Sequence, residues 1–278
     1  VISRAERTAN YAILLVFAAF ALWPILTILG AALGPPDSAA SSGAASSGAG
    51  SSGGGLANFA AAWREGRFST SMLTSVAVSG FVVLTAGVLS LLTGYAFGTM
   101  RVPGAGVLFP LFLLGLMVPT EVIVVPLYFD LRTLGLTNTF WAIALPQVAQ
   151  SLAFGTFWMR AYFRSRPVSL IEAARLDGAG SWRILWQVLV PPGRPAIVTM
   201  VVLTFMWTWN EFLIPLVMAT DEALRTAPLG LAFFQGQHTS GFTLLAAGAV
   251  IVAAPVVIVY LFLQRHFIRG MLDGALRE

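Results

Sequence analysis

The sequence predicts an all-α membrane protein with six transmembrane helices, and three features carry that reading. Of its 278 residues, 57% are hydrophobic and only 10% charged, with a mean hydropathy of +0.82. That is more apolar surface than one soluble core of this length can hide. Six apolar runs recur along the chain, each close to the length that crosses ~30 Å of hydrocarbon at ~1.5 Å per residue. The third feature is arginine placement, which is strongly one-sided once those runs are taken as spans.

The first run is Tyr11–Leu33. Arg4 and Arg7 precede it and small residues end it, as in a secretory signal, but its apolar part exceeds the roughly 7–15 residues of a signal peptide, so a retained helix is expected. Ser38–Gly55 consists only of Ser, Gly and Ala. With nothing to bury, it is expected to be a flexible extracytoplasmic linker. The segment LANFAAAWREGRFSTS that follows mixes aromatic and charged residues suited to the outer interface. The remaining spans are expected at Met72–Thr99, Val107–Tyr128, Phe140–Met159, Ala196–Ala219 and Phe242–Leu263, in a single transmembrane domain over 1–278.

With the N-terminus inside, twelve of the sixteen arginines fall on the cytoplasmic face, and only Arg64, Arg67, Arg132 and Arg225 fall outside. Both termini and the loop 165–195 are therefore expected in the cytoplasm. The net charge of +4 follows from this asymmetry and does not point to nucleic acid.

Absent residue types limit the chemistry. There is no lysine, so no G-x-x-x-x-G-K phosphate loop exists, and with no cysteine there is no disulfide, thiolate metal site or thiol nucleophile. His238 and His266 fall on opposite faces and read as interfacial polar residues. No G-x-S-x-G elbow appears. No catalytic residue and no metal site are expected.

The loop 165–195 reads as two short helices. Ser169 and Glu172 have capping-box spacing, Gly178 suits a left-handed helix end, and Ser181 is placed to cap the second arm. On that arm Trp182, Leu185, Trp186 and Leu189 recur at helical spacing, and Pro191 and Pro192 end it. Such an elbow would grip membrane helices with its apolar faces and offer Glu172, Arg175, Asp177 and Arg183 to the cytosol. The alternative is an amphipathic loop resting on lipid.

Glu121 and Glu211 each lie about 14–15 residues from the cytoplasmic start of a span, roughly 21–22 Å up, and so share a layer. Trp207, Trp209 and Asn210 accompany Glu211. Aromatic faces with amides and carboxylates suit a polyhydroxylated solute. An outer aromatic belt, or a structural polar contact between helices, is the competing reading.

The residues of the elbow also carry a resemblance. Glu172, Ala173, Ala174, Asp177, Gly178 and Ala179, followed by a proline, resemble the EAA loop of membrane subunits of bacterial ATP-binding-cassette (ABC) importers. LGLTNT (Leu134–Thr139), TWNEFLIPL (Thr208–Leu216) and QRHFIRGMLDGA (Gln264–Ala275) extend it over most of the chain, to the maltose-type carbohydrate permeases. Pro192, where that family usually has leucine, and Gly180, where serine is frequent, are small departures.

The resemblance implies a type I ABC importer permease fold of the bacterial inner membrane. It implies a second homologous permease, ATP-binding subunits beneath that hold ATP and Mg, and an extracytoplasmic solute-binding protein. The elbow, with Glu172, Ala173, Ala174, Arg175, Asp177, Gly178 and Arg183, is then the ATPase-coupling element, and Glu121, Trp209, Asn210 and Glu211 are pathway candidates. An importer of the same family for a glycerol phosphate ester or a polyamine is the alternative solute reading. A secondary transporter would need a coupling-ion site and usually an internal repeat, and neither is visible.

Overall fold

The computed structural model describes residues 3–35, 54–237 and 242–275, the side chains of Ala5, 233–237 and 265–275 excepted. The elements are α1 (Arg4–Leu33), α2 (Leu56–Glu65), α3 (Phe68–Thr99), α4 (Ala105–Met117), α5 (Thr120–Thr133), α6 (Phe140–Arg164), α7 (Val168–Leu176), α8 (Ser181–Leu189), α9 (Arg194–Asn210), α10 (Leu213–Met218), α11 (Ala227–Gln237) and α12 (Phe242–Ala275). No strand occurs among the described residues. The linker expected at Ser38–Gly55 lies outside them apart from Gly54 and Gly55, as does His238. Contacts divide the chain into two units, Val1–Ser69 with Gly230–Ala254 and Thr70–Leu229 with Pro255–Glu278.

In the first unit, α1 starts ahead of the apolar run expected from Tyr11. Ser3 Oγ accepts from the Glu6 N–H at 3.2 Å, and the Glu6 carboxylate accepts from the Ser3 N–H at 2.8 Å, a reciprocal cap. Hydropathy alone does not register this S-x-x-E pattern. Most of α1 is exposed, Phe20 at 79%, as suits a helix whose neighbours are lipid or another chain. Its end is tied down by the buried Asn58 of α2, whose Nδ2 donates to the carbonyls of Ala32 and Gly34 at 2.9 Å each. These are carbonyls that a helix end leaves without partners. Ala32, Ala62, Ala246 and Ala247 form the core here, small enough for close helix approach.

In the second unit, small residues seat α3 against α6. A Cβ on Gly94 would lie 2.5 Å from Met159 Cβ, one on Gly98 would lie 2.8 Å from Phe163 Cβ, and one on Gly155 would overlap Ser90. The Thr93 and Thr156 hydroxyls share a hydrogen bond of 2.7 Å across this seam. Two apolar clusters fill the unit. One gathers Val78, Val82, Val124, Ile143, Ile214 and Met218, and the other gathers Leu91, Tyr95, Met159, Phe163 and Met200 with the elbow helices.

The expected spans are not all straight. Three helices, Glu6–Leu33, Phe68–Thr99 and Phe242–Gln264, are long and apolar enough to cross a membrane unbroken. The run expected over Val107–Tyr128 bends by 100° between α4 and α5. Pro119 has no N–H to continue the ladder and holds Val118 extended at ψ 120°. The run expected over Ala196–Ala219 stops at Asn210 and resumes as α10. Pro215 cannot donate to the Glu211 carbonyl, and its ring would strike it in a continuous helix. Helix α6 has the length, 25 residues, but falls short of the apolarity of the three unbroken spans. One of its faces carries Gln147, Gln150 and Ser151 at i, i+3 and i+4.

Candidate functional site

The elbow is built from its turn outward. The Gly178 N–H donates to the Arg175 carbonyl at 3.0 Å and the Ala179 N–H to the Ala174 carbonyl at 2.9 Å, with Gly178 at φ +77°. This is a complete Schellman motif, which uses the last carbonyls of α7 and needs a residue that tolerates positive φ. Ala174 and Ala179 both pack on the core beneath it.

The starts of the two arms differ from expectation. Helix α7 begins at Val168 after Pro167, with no side-chain cap, so Ser169 and Glu172 form no capping box. Proline at the cap position supplies a fixed φ and has no N–H of its own for a side chain to satisfy. Gly180, not Ser181, is the cap residue of α8, again without a side-chain bond.

Residues Ile184–Leu189 are wound as a π-helix, closed by the Val190 N–H donating to the Leu185 carbonyl at 2.9 Å. The change of winding rotates the buried face to Ile184, Leu185 and Leu189, and leaves Trp182 exposed with its ring against Trp186 at 5.7 Å. The α-helical spacing drawn through Trp182 therefore does not describe the buried stripe.

Glu172, Ala173, Arg175, Asp177, Gly178 and Arg183 are exposed, and Ala174 is half-buried. Arg183 Nε donates to Gln187 Oε1 at 2.8 Å. Leu176 stands 90% exposed beside them, so the outer surface combines charge with uncovered apolar groups. The base is held by α6. The Tyr162 hydroxyl donates to the Leu189 carbonyl at 2.9 Å, and Trp158 Nε1 donates to the Ala196 carbonyl at 2.9 Å. The Gly193 N–H, which a continuing α-helix would give to the Leu189 carbonyl, donates to the Val190 carbonyl at 3.0 Å instead, which leaves Tyr162 to take up that of Leu189. Tyr162→Phe is expected to cost about 1 kcal/mol at this junction and to lower uptake per ATP hydrolysed. Unchanged uptake and hydrolysis in that variant would show the bond to be dispensable.

The two helix breaks border one cavity of about 450 Å³. Gly115, Val118 and Thr120 line it from the α4–α5 break, and Trp207, Asn210 and Glu211 from the α9 end. Gln147, Gln150, Ser151 and Phe154 line it from α6. The pathway candidates are thus divided. Asn210 and Glu211 reach the cavity, Trp209 is buried near Phe205, and Glu121 is exposed in the first turn of α5, outside the cavity wall. The shared layer assumed straight helices, and both helices are broken. The signal for the α6 residues was the i, i+3, i+4 polar stripe in an apolar span. Among the described residues, no group of three or more His, Cys, Asp or Glu is gathered as a metal would require.

Glu211 Oε1 accepts from the Ile214 N–H at 3.0 Å and so caps α10. Glu211→Gln keeps an acceptor there and is expected to give normal yields of complex. Glu211→Leu leaves the N–H without its partner, costs about 1–3 kcal/mol and lowers the yield. Glu121→Gln and Glu121→Leu are expected to leave yield unchanged. Equal yields in all four variants would remove the capping role of Glu211.

Residues 90–273 match the family described as binding-protein-dependent transport system inner membrane component. Over 220 residues the chain is 36% identical to the probable ABC transporter permease protein YurM of Bacillus subtilis (strain 168), covering 79% of this chain and 73% of that one. It is 32% identical over 263 residues to the arabinooligosaccharides transport system permease protein AraQ of Halalkalibacterium halodurans, covering 94% and 93%. A chain of a bacterial ABC transporter involved in the import of the acidic polysaccharide alginate has the same fold, with a TM-score of 0.74 at 24% identity over 96% of this chain and 99% of that one.

Proposed function

The chain belongs to the family of binding-protein-dependent transport system inner membrane components, and from that premise we infer that it forms half of the translocation pore of an ATP-driven importer for a sugar or oligosaccharide. The family is a transport component and not an enzyme, so the energy must come from another chain. ATP and Mg belong to a partner ATPase, and this chain binds no cofactor. A second permease completes the pore, and an extracytoplasmic binding protein delivers the solute. Both termini and the elbow face the cytoplasm.

The observation that carries this reading is the elbow. Its underside is locked into the core by Ile171, Ile184, Leu185 and Leu189, while Glu172, Arg175, Leu176 and Trp182 are uncovered. A rigid handle of this kind transmits a push from below into α6 and α9 and can tilt them, which is the requirement for alternating access. The saccharide assignment is supported by relatives such as the arabinooligosaccharide permease.

The test is co-purification of the tagged chain with an ATPase, followed by uptake into proteoliposomes with and without ATP. Saccharide uptake that depends on ATP and on the binding protein is expected. Uptake driven by an ion gradient with no ATPase attached would overturn the reading.

A further inference from the structure

We propose that this chain itself holds the solute during passage: the cavity bordered by Gln147, Gln150, Ser151, Trp207, Asn210 and Glu211 is a subsite for a neutral saccharide. The proposal rests on the importer reading and narrows it.

The backbone argument comes first. Within hydrocarbon, a broken helix is tolerated only where protein covers the free backbone groups or where they line a wet cavity. Two spans are broken, at Val118–Pro119 and at Glu211–Phe212, and residues of both breaks line the same cavity. Its volume of about 450 Å³ is of small-molecule size.

The polar inventory then selects the ligand. Gln147 is buried, and its Nε2 donates to the Ile143 carbonyl at 3.0 Å, but its Oε1 has no hydrogen-bond partner among the described residues. Asn210 Nδ2 donates to the Met206 carbonyl at 2.7 Å, and Gln150 Nε2 donates to Thr120 Oγ1 at 3.1 Å. All three amides direct nitrogen to the protein; the oxygen of Gln147 is covered, and those of Gln150 and Asn210, with the Glu211 carboxylate, make the wall one of acceptors. Acceptors call for a ligand that brings O–H donors. Trp207 is half exposed, with Phe154 edge-on at a ring-centroid distance of 4.7 Å, and its indole can take the C–H face of a pyranose or furanose.

Charge excludes the competitors. Among the described residues no arginine or histidine lines the cavity, and Glu211 is the only charged group that does. A phosphate ester or a uronate would meet carbonyl oxygens and a carboxylate, without a cation to offset its desolvation. A polyamine would find one carboxylate, already accepting from the Ile214 N–H.

The test uses the absence of cysteine from this chain. Ser151→Cys places one thiol in it, and the assembled importer is treated with 2-aminoethyl methanethiosulfonate while labelling of this chain is followed. The probes are trehalose, arabinotriose, diacetylchitobiose and sn-glycerol 3-phosphate, each with and without the binding protein. We expect at least one neutral saccharide to slow labelling about tenfold at a concentration about ten times its Kd, and the phosphate ester to have no effect. For the protecting sugar, Trp207→Ala is expected to raise the uptake KM about tenfold while complex yield is kept, and Trp207→Phe to stay within about threefold of wild type. A thiol that does not label, protection by glycerol phosphate, no protection by any neutral probe, or an unchanged KM in Trp207→Ala would each overturn the subsite. ATP-driven uptake with an unprotected thiol would sink the subsite alone. Loss of ATP dependence in the wild type would sink the importer reading instead.

Discussion

Gly178→Val abolishes ATP-driven uptake while leaving the permease in the membrane. Among the described residues nothing lies within 4 Å of the point where a Cβ on Gly178 would stand, so crowding is not the reason. The backbone is at φ +77°, which costs an L-residue about 1–2 kcal/mol and is worst for a β-branched side chain. Relaxing that angle breaks the hydrogen bonds from Gly178 to Arg175 and from Ala179 to Ala174, and changes the angle between the arms. Glu172→Ala should fail in the same assay for a different reason. Glu172 is exposed and caps nothing, so its removal should shift stability by no more than about 0.5 kcal/mol while removing a charge from the exposed face of the elbow. The measurements are uptake, co-purified ATPase and hydrolysis rate. Full uptake with a normal complex in both variants would make the elbow a passive loop.

Gly94→Leu removes most of the folded permease. The added side chain would meet the Met159 Cβ at 2.5 Å and the Arg160 backbone nitrogen at 3.0 Å, and Met159 is fully buried with no room to retreat. Forcing α3 from α6 costs about 1–3 kcal/mol in overpacking. It also separates the Thr93–Thr156 hydroxyl pair, whose 2.7 Å bond needs the helices close. Gly80→Leu on the same helix is the control, because nothing among the described residues lies within 4 Å of its Cβ position. Monodisperse protein recovered in detergent should fall sharply for Gly94→Leu and stay near wild type for Gly80→Leu. Equal recovery would show that the seam can open without loss.

Three of the stretches that carry the family resemblance are helix ends. In LGLTNT, the Gly135 N–H donates to the Arg132 carbonyl at 3.1 Å and the Leu136 N–H to the Leu131 carbonyl at 2.9 Å, the same Schellman arrangement as in the elbow. Asn138 Oδ1 then accepts from the N–H groups of Thr220 and Asp221 at 3.0 and 2.9 Å, clasping the chain that leaves α10. In TWNEFLIPL, Glu211 caps the helix that Pro215 forced to restart. These are local devices with fixed residue needs, such as glycine for positive φ and a carboxylate for an orphan N–H. That is why the sequence shows them plainly.

By itself, the sequence determined the solvent, the helical class, the elbow's position and the family, because hydropathy and turn chemistry are properties of short windows. It did not determine the winding of Ile184–Leu189, since a π-turn depends on what Tyr162 and the core below will accept. Nor did it place Glu121 and Glu211. A depth counted along the chain holds only for a straight helix, and Pro119 and Pro215 break both. The cavity belongs wholly to the tertiary structure: Gln147, Trp207 and Glu211 come from helices distant in sequence, and only packing brings their polar atoms to one wall.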